Sequence, residues 1–249
     1  MKRLIVNADD FGRTSGINRG IAEAHRGGIV TSATLMVNYG PAREAAELAV
    51  TCPRLGLGLH LALTGGVPTL PPEQVKSLVD SAGRLPAKPE GLSGARPSEV
   101  LAEARAQIGR FREIVGRSPT HLDSNHHSHR LPVVLEAMLT LAGEAGLPVR
   151  CASPEMREGL ASAGVPTTDA FVESFYDEAA TLPHLLAILG GLGDGTTELM
   201  CHPAHADPEL LATSGYAVPR ERELAVLSSP EARRAVQDLE LELISFAAL

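Results

Sequence analysis

The chain has 249 residues, 44% of them hydrophobic, and a formal net charge of −8. Trp is absent and aromatics make up 3%, so a large core must be built from Leu, Val, Ala and Ile. The acidic balance, with no Lys- or Arg-rich run, excludes a basic nucleic-acid face, and no apolar stretch is long enough to cross a membrane.

In chain order, RLIVNA (3–8) predicts a strand and SGINRGIAEAHRGG (15–28) a helix closed by Gly27 and Gly28. TSATLMV (31–37) predicts a strand, AREAAELAV (42–50) a helix, and LGLGLHLAL (55–63) a strand. The Pro/Gly-rich segment 64–96 reads as a long loop. Residues 95–116 predict a long helix, with Ser98 able to cap it and Gly116 to end it. THLDS (120–124) is a strand, 131–146 a helix and LPVRC (147–151) a strand. After an irregular stretch come a helix near 181–190, a strand TTELMC (196–201), a second long loop at 202–219, two short helices within 218–238 and a last strand ELISF (242–246). Strands alternating with helices argue for parallel βαβ units. Seven or eight strands predict an imperfect (β/α) barrel over 1–249, with both long loops above its rim. Cys52, Cys151 and Cys201 are an odd number at long spacings, and the N-terminus MKRLIVNADD lacks a signal-length apolar run. Both fit a reduced, cytoplasmic protein.

In such a barrel, chemistry gathers where strands end and loops begin. Asp9 and Asp10 end the first strand, His60 lies near the end of another, Asp123, Asn125 and His127 follow the next, Arg150 ends LPVRC, and His202 follows TTELMC. Adjacent carboxylates such as Asp9 and Asp10 need a cation or a proton; either they cap a turn, or one binds a metal and the other acts as a base. HLDSNHHSH (121–129) holds four of the nine histidines. If extended, it puts 121, 123, 125, 127 and 129 on one face. One Asp and two His with open positions suit a hydrolytic metal, and a carboxylate such as Asp123 can orient a ligand imidazole. His202 reads as a structural His or as a general acid facing the metal.

NADDFG (7–12), GLHLALTGG (58–66), THLDSNHHSH (120–129), LMCHPA (199–204) and YAVPRERELAVLSS (216–229) together resemble the YdjC-like carbohydrate deacetylases. The resemblance implies a distorted TIM-like barrel related to NodB-type deacetylases, and metal-dependent removal of acetyl groups from N-acetylated sugars. By it, Asp10, His60 and a histidine of 125–127, with His127 favoured, would hold one divalent ion: magnesium or zinc, with manganese or cobalt as alternatives. Asp9 would be the base and His202 the acid. Arg150 could pair with Asp9 and keep it ionised, while Arg220, like Asp123 and Asn125, would support the site or the substrate. The family usually has His where this chain has Asn125, so either His127 holds the metal while Asn125 orients water, or the site has drifted in metal preference, with Asn125 the rival ligand. Phe11, Tyr39, Tyr176 and Tyr216 are the aromatic candidates for stacking on a sugar. The expected partner is an N-acetylated sugar, with no nucleic acid and no membrane; association into a homo-oligomer stays open. Two other readings stand beside this one: another metal-dependent barrel hydrolase such as a phosphoesterase, which would need further ligands, and a non-catalytic sugar-binding protein.

Overall fold

The computed structural model describes Met1–Leu249. In chain order the elements are β1 (Lys2–Phe11), α1 (Ser15–Gly27), β2 (Ser32–Leu35), α2 (Ala42–Val50), β3 (Gly56–Leu61), α3 (Pro97–Val115), β4 (Leu122–Ser124) and α4 (Pro132–Ala145). Then come α5 (Pro154–Ser162), β5 (Ala170–Val172), α6 (Leu182–Gly190), β6 (Gly195–Cys201), α7 (Pro208–Thr213), α8 (Val218–Leu227), α9 (Pro230–Asp238) and β7 (Glu242–Leu243). The strands run in the order β4-β3-β2-β1-β6-β5, with β7 beside the start of β1, and every pairing is parallel. Parallel sheets covered by helices are buried on both faces. β1 and β3 show this directly, since Leu4–Phe11 and Gly56–Leu61 are buried throughout.

The barrel is distorted at one seam. Between β4 and β5 no ladder forms. The segment predicted as the strand 147–151 instead makes a single bridge, Leu122 to Val149, and Val149 N donates to Pro166 O at 3.0 Å. Pro148 removes one ladder donor there, which limits pairing. The predicted last strand shrinks to Glu242–Leu243, followed by a 3₁₀ turn at Phe246–Ala248. Helix α3 begins with Pro97 after Arg96, so Ser98 is not its cap; Gly116 does end it, at φ +78°. The stretch predicted as irregular holds α5 and β5, and the predicted loop 202–219 carries α7. The loop 64–96 contains only two 3₁₀ turns, Pro72–Gln74 and Pro89–Leu92.

The extended face predicted for HLDSNHHSH does not form. β4 stops at Ser124, and Asn125–Arg130 coil into a 3₁₀ turn with His126 and His127 at φ +52° and +49°. Left-handed residues break the period-two alternation, so His121, Asn125, His127 and His129 face different surroundings.

Candidate active site

β1 delivers both carboxylates to the rim through an irregularity in its pairing with β2, between Ala8 and Phe11. Asp10 there takes φ +68°, a costly conformation for a residue with a Cβ. Such kinks re-aim side chains near active sites. Both Asp9 and Asp10 line a cavity of about 370 Å³. Gly12 (φ +89°) completes the turn, where a Cβ would come within 2.9 Å of Met36 O.

Inside the barrel, the fully buried Arg150 donates to both Asp9 oxygens at 2.7 Å. It also lies 3.0 Å from Asp123 Oδ2 and 2.7 Å from Glu198 Oε1. Asn7 Nδ2 donates to Asp9 Oδ1 at 2.8 Å. Burial alone would raise the Asp9 pKa, but Arg150 outweighs it and holds Asp9 well below the usual carboxylate range. Burial pushes Glu198 up to about 7 despite Arg150.

Asp123 Oδ1 pairs with His60 Nδ1 at 2.7 Å, and Thr34 Oγ1 donates to Asp123 Oδ2 at 3.0 Å. This leaves His60 Nε2 directed at Asp10 Oδ1, 3.6 Å away. Burial opposes charge on His60, yet Asp123, then Asp9 and Asp10, pull its pKa up to about 9. Asp10 Oδ2 is held by Arg220 at 2.5 Å, with Arg13 at 3.7 Å; burial disfavours its charge, but these cations keep it ionised. A nitrogen and an oxygen facing across 3.6 Å, with the imidazole oriented by a carboxylate behind it, suit a divalent cation. Asp9, His60 and Asp123 also bring ligand atoms within 4.8 Å of one another. Both Asp9 oxygens are bonded to Arg150, however, whereas the arginines on Asp10 meet only its Oδ2 and leave Oδ1 facing His60 Nε2, so the Asp10–His60 side is the better cradle.

The 3₁₀ turn closes one wall. Asn125 Nδ2 donates to Thr64 O at 2.8 Å, and His126 Nδ1 meets Thr64 Oγ1 at 3.0 Å. His127 Nε2 lies 3.3 Å from Glu173, its Nδ1 is buried without a partner, and burial lowers its pKa to about 3. His121 and His129 are not brought to the cavity. His121 bonds Asn7 Oδ1 at 3.0 Å and stacks on Phe246, in space left by Gly58, where a Cβ would lie 2.5 Å from its ring. His129 Nδ1 pairs with Ser124 Oγ at 2.5 Å. Two of the histidines that a second metal could use, His121 and His129, are therefore committed to packing.

Opposite, His202 lines the cavity with Tyr176 and Tyr216, which stack at 4.0 Å and meet its ring edge-on. The His202 main-chain N–H and the Tyr216 hydroxyl both donate to the buried Glu223, whose carboxylate lies 3.9 Å from His202 Nδ1. Burial, then Arg220, lowers His202 to about 4; burial raises Glu223 to about 7. Of the aromatic candidates, Phe11 is core and Tyr39 lines a separate cleft, whereas Tyr176 is 42% exposed at the cavity mouth. Glu173, Glu198, Glu223, Arg13, Thr34 and Thr64 were not evident as site residues. Two carried a signal: Glu198 as the one charge inside the otherwise uncharged strand GTTELMC, and Glu223 within the family-like segment YAVPRERELAVLSS.

The fold is that of the carbohydrate esterases of family 4. The structure of such an enzyme from Streptomyces lividans, in complex with acetate, superposes with a TM-score of 0.55 at 11% identity, covering 97% of this chain and 91% of that one. The family is narrower: the profile of the YdjC-like proteins matches residues 3–238, and the chain belongs to that family. A relative from Thermoanaerobacter pseudethanolicus named carbohydrate deacetylase is 38% identical over 250 residues, the full length of both chains. A structure from Enterococcus faecalis V583, described as a cellobiose-phosphate cleavage protein, reaches a TM-score of 0.94 at 37% identity and covers 99% of this chain and 98% of its own. No helix of the protein is long and apolar enough to cross a membrane.

Proposed function

We propose that this protein is a metal-dependent deacetylase that hydrolyses the amide of N-acetylated sugars or short oligosaccharides, working in the cytoplasm where its three buried thiols stay free. The observation that carries this reading is His60 clamped by Asp123 with Nε2 facing Asp10, beside an Asp9 that Arg150 keeps charged. Relatives named carbohydrate deacetylase support the substrate class.

Asp10 and His60 would hold the ion, with a third donor from the turn at Asn125–His127. A divalent cation bound there supplies Lewis acidity to a carbonyl oxygen and makes water easier to deprotonate. Asp9 takes the proton from the attacking water, held in place by its two bonds to Arg150. His202 donates a proton to the departing amine. Before substrate binds its pKa is about 4, so it starts neutral and takes up a proton from solvent as negative charge builds beside it; that proton completes the free amine, acetate leaves with the water's oxygen, and the proton on Asp9 returns to solvent. Tyr176 offers an exposed ring for the sugar face, and Arg13 and Arg220 line the same cavity.

The test is to strip the protein with chelator, reload it with single divalent metals, and assay acetate release from N-acetylated mono- and oligosaccharides beside phosphate release from phosphomonoesters. Metal-dependent acetate release alone is the expected result. Phosphate release without acetate would overturn the assignment.

A further inference from the structure

We infer that Asn125 presents its side-chain oxygen to the cavity as the third protein donor to the ion, giving a site of two oxygens and one nitrogen that favours manganese or magnesium over zinc. The inference rests on the deacetylase reading of the same site and adds its metal preference.

An Asn side chain can face either way, and its partners decide which. Asn125 packs against Thr64 O at 2.8 Å. A carbonyl oxygen carries no hydrogen, so only the amide nitrogen can face it, and the amide oxygen must turn the other way. Asn125 is 8% exposed and lines the cavity with Asp10 and His60. No protein group donates to its oxygen, while its nitrogen is committed to Thr64.

The two neighbouring imidazoles are less well placed. His127 turns its Nε2 to Glu173 and is flanked edge-on by His129 and Phe171, at ring separations of 5.9 and 5.6 Å. His126 is exposed at the rim, tied by Nδ1 to Thr64 Oγ1. All three side chains line the cavity, and Asn125 is the one of them that is buried. Amide and carboxylate oxygens suit hard ions such as magnesium and manganese, whereas imidazole suits zinc. His60 then remains the single nitrogen of the set.

The positioning rests on α3. Glu103, fully buried, accepts from the Thr69 and Leu70 main-chain N–H groups at 2.7 and 2.9 Å. Gln107 bonds both main-chain groups of Ala62, at 2.9 and 2.8 Å. Thr64 lies between these anchors, so the carbonyl that orients Asn125 is itself fixed.

The test is calorimetric titration of metal-free wild type, Asn125→Ala, Asn125→His, His126→Ala and His127→Ala with manganese and with zinc at one pH, since ligand protonation couples to affinity. Thermal unfolding of each variant establishes that it is folded. Asn125→Ala is expected to weaken manganese at least roughly 10-fold, the lower bound for losing even an outer partner of a ligand, and more than either His variant does. Asn125→His is expected to raise the zinc-to-manganese affinity ratio by a similar factor. Because these two variants replace the side chain differently, one of them misfolding leaves the other to decide. Wild-type manganese affinity in Asn125→Ala, or a larger loss in His126→Ala or His127→Ala, overturns the inference and leaves the deacetylase reading standing. A wild type that binds neither metal overturns both.

Discussion

Replacing Arg150 with Leu removes the one cation shared by three buried carboxylates. Arg150 reaches Asp9 at 2.7 Å, Asp123 at 3.0 Å and Glu198 at 2.7 Å, and all four side chains are buried. Breaking a buried ion pair by deleting one partner costs about 3–5 kcal/mol, because a charge is left without compensation. That is a large share of the roughly 5–15 kcal/mol by which a domain is stable. With a urea slope of about 3 kcal/mol/M, the midpoint should fall by about 1–2 M at pH 7.5. The pH dependence carries the diagnosis. In the wild type, the folded pKa of Asp9 is depressed, so its contribution is complete above its ordinary value and is lost only in strong acid. Glu198 is raised to about 7, so its own contribution favours the wild type at pH 5 over pH 7.5. In Arg150→Leu burial loses its main opponent at Asp9 and Glu198, the folded pKa of both rises, and protonation relieves the strain as pH falls. The variant should therefore regain stability between pH 7.5 and pH 5 more steeply than the wild type. Urea unfolding at the two pH values measures both quantities. An unchanged midpoint, or a variant whose pH slope matches the wild type, would refute the shared-cation account.

Asp10→Ala should empty the metal site, whereas Asp9→Asn should keep the ion and lose roughly 10²-fold or more in rate, the scale of acid–base groups; equal metal loss in both would show that the two aspartates are not divided in role. His202→Ala should retain fold and metal and slow poor leaving groups more than good ones, so a uniform loss across a leaving-group series counts against proton donation. Glu103→Ala leaves the Thr69 and Leu70 N–H groups without their acceptor, at about 1–3 kcal/mol for each one kept from water. Hydrogen exchange should then quicken at those amides and at Asn125 while distant α9 is unchanged; unaltered exchange at 69 and 70 would dispose of the anchoring role.

The alternation of apolar strands and amphipathic helices is a long-range pattern, and it placed Asp9, Asp10, His60 and His202 at strand ends, as the structure has them. What failed was local. HLDSNHHSH looks like a polar strand because nothing in the residue types announces two consecutive left-handed histidines; that conformation is imposed by packing of the turn against Thr64 and α4. The seam near Val149 was read as a strand from its β-branched and apolar residues, but strand propensity is context-dependent, and no neighbour there offers a ladder. Glu198 and Glu223 were visible as residues but not as parts of the site, for a different reason. A buried acid is recognisable only once its partners are known, and Arg150 lies 48 residues from Glu198 in sequence. Gly58 did carry information, since its missing side chain is the space that His121 fills, but only the three-dimensional pairing reveals it.

The most direct measurement is mass spectrometry of the products formed from an N-acetylated oligosaccharide in ¹⁸O-labelled water by the manganese-loaded protein, with Asp9→Asn as the control. Hydrolysis at the amide predicts an intact sugar chain lighter by one acetyl group, acetate carrying a single label, and both products formed roughly 10²-fold or more slowly by Asp9→Asn. Shortened sugar chains without acetate, or labelled acetate formed equally well by Asp9→Asn, would contradict the proposed chemistry.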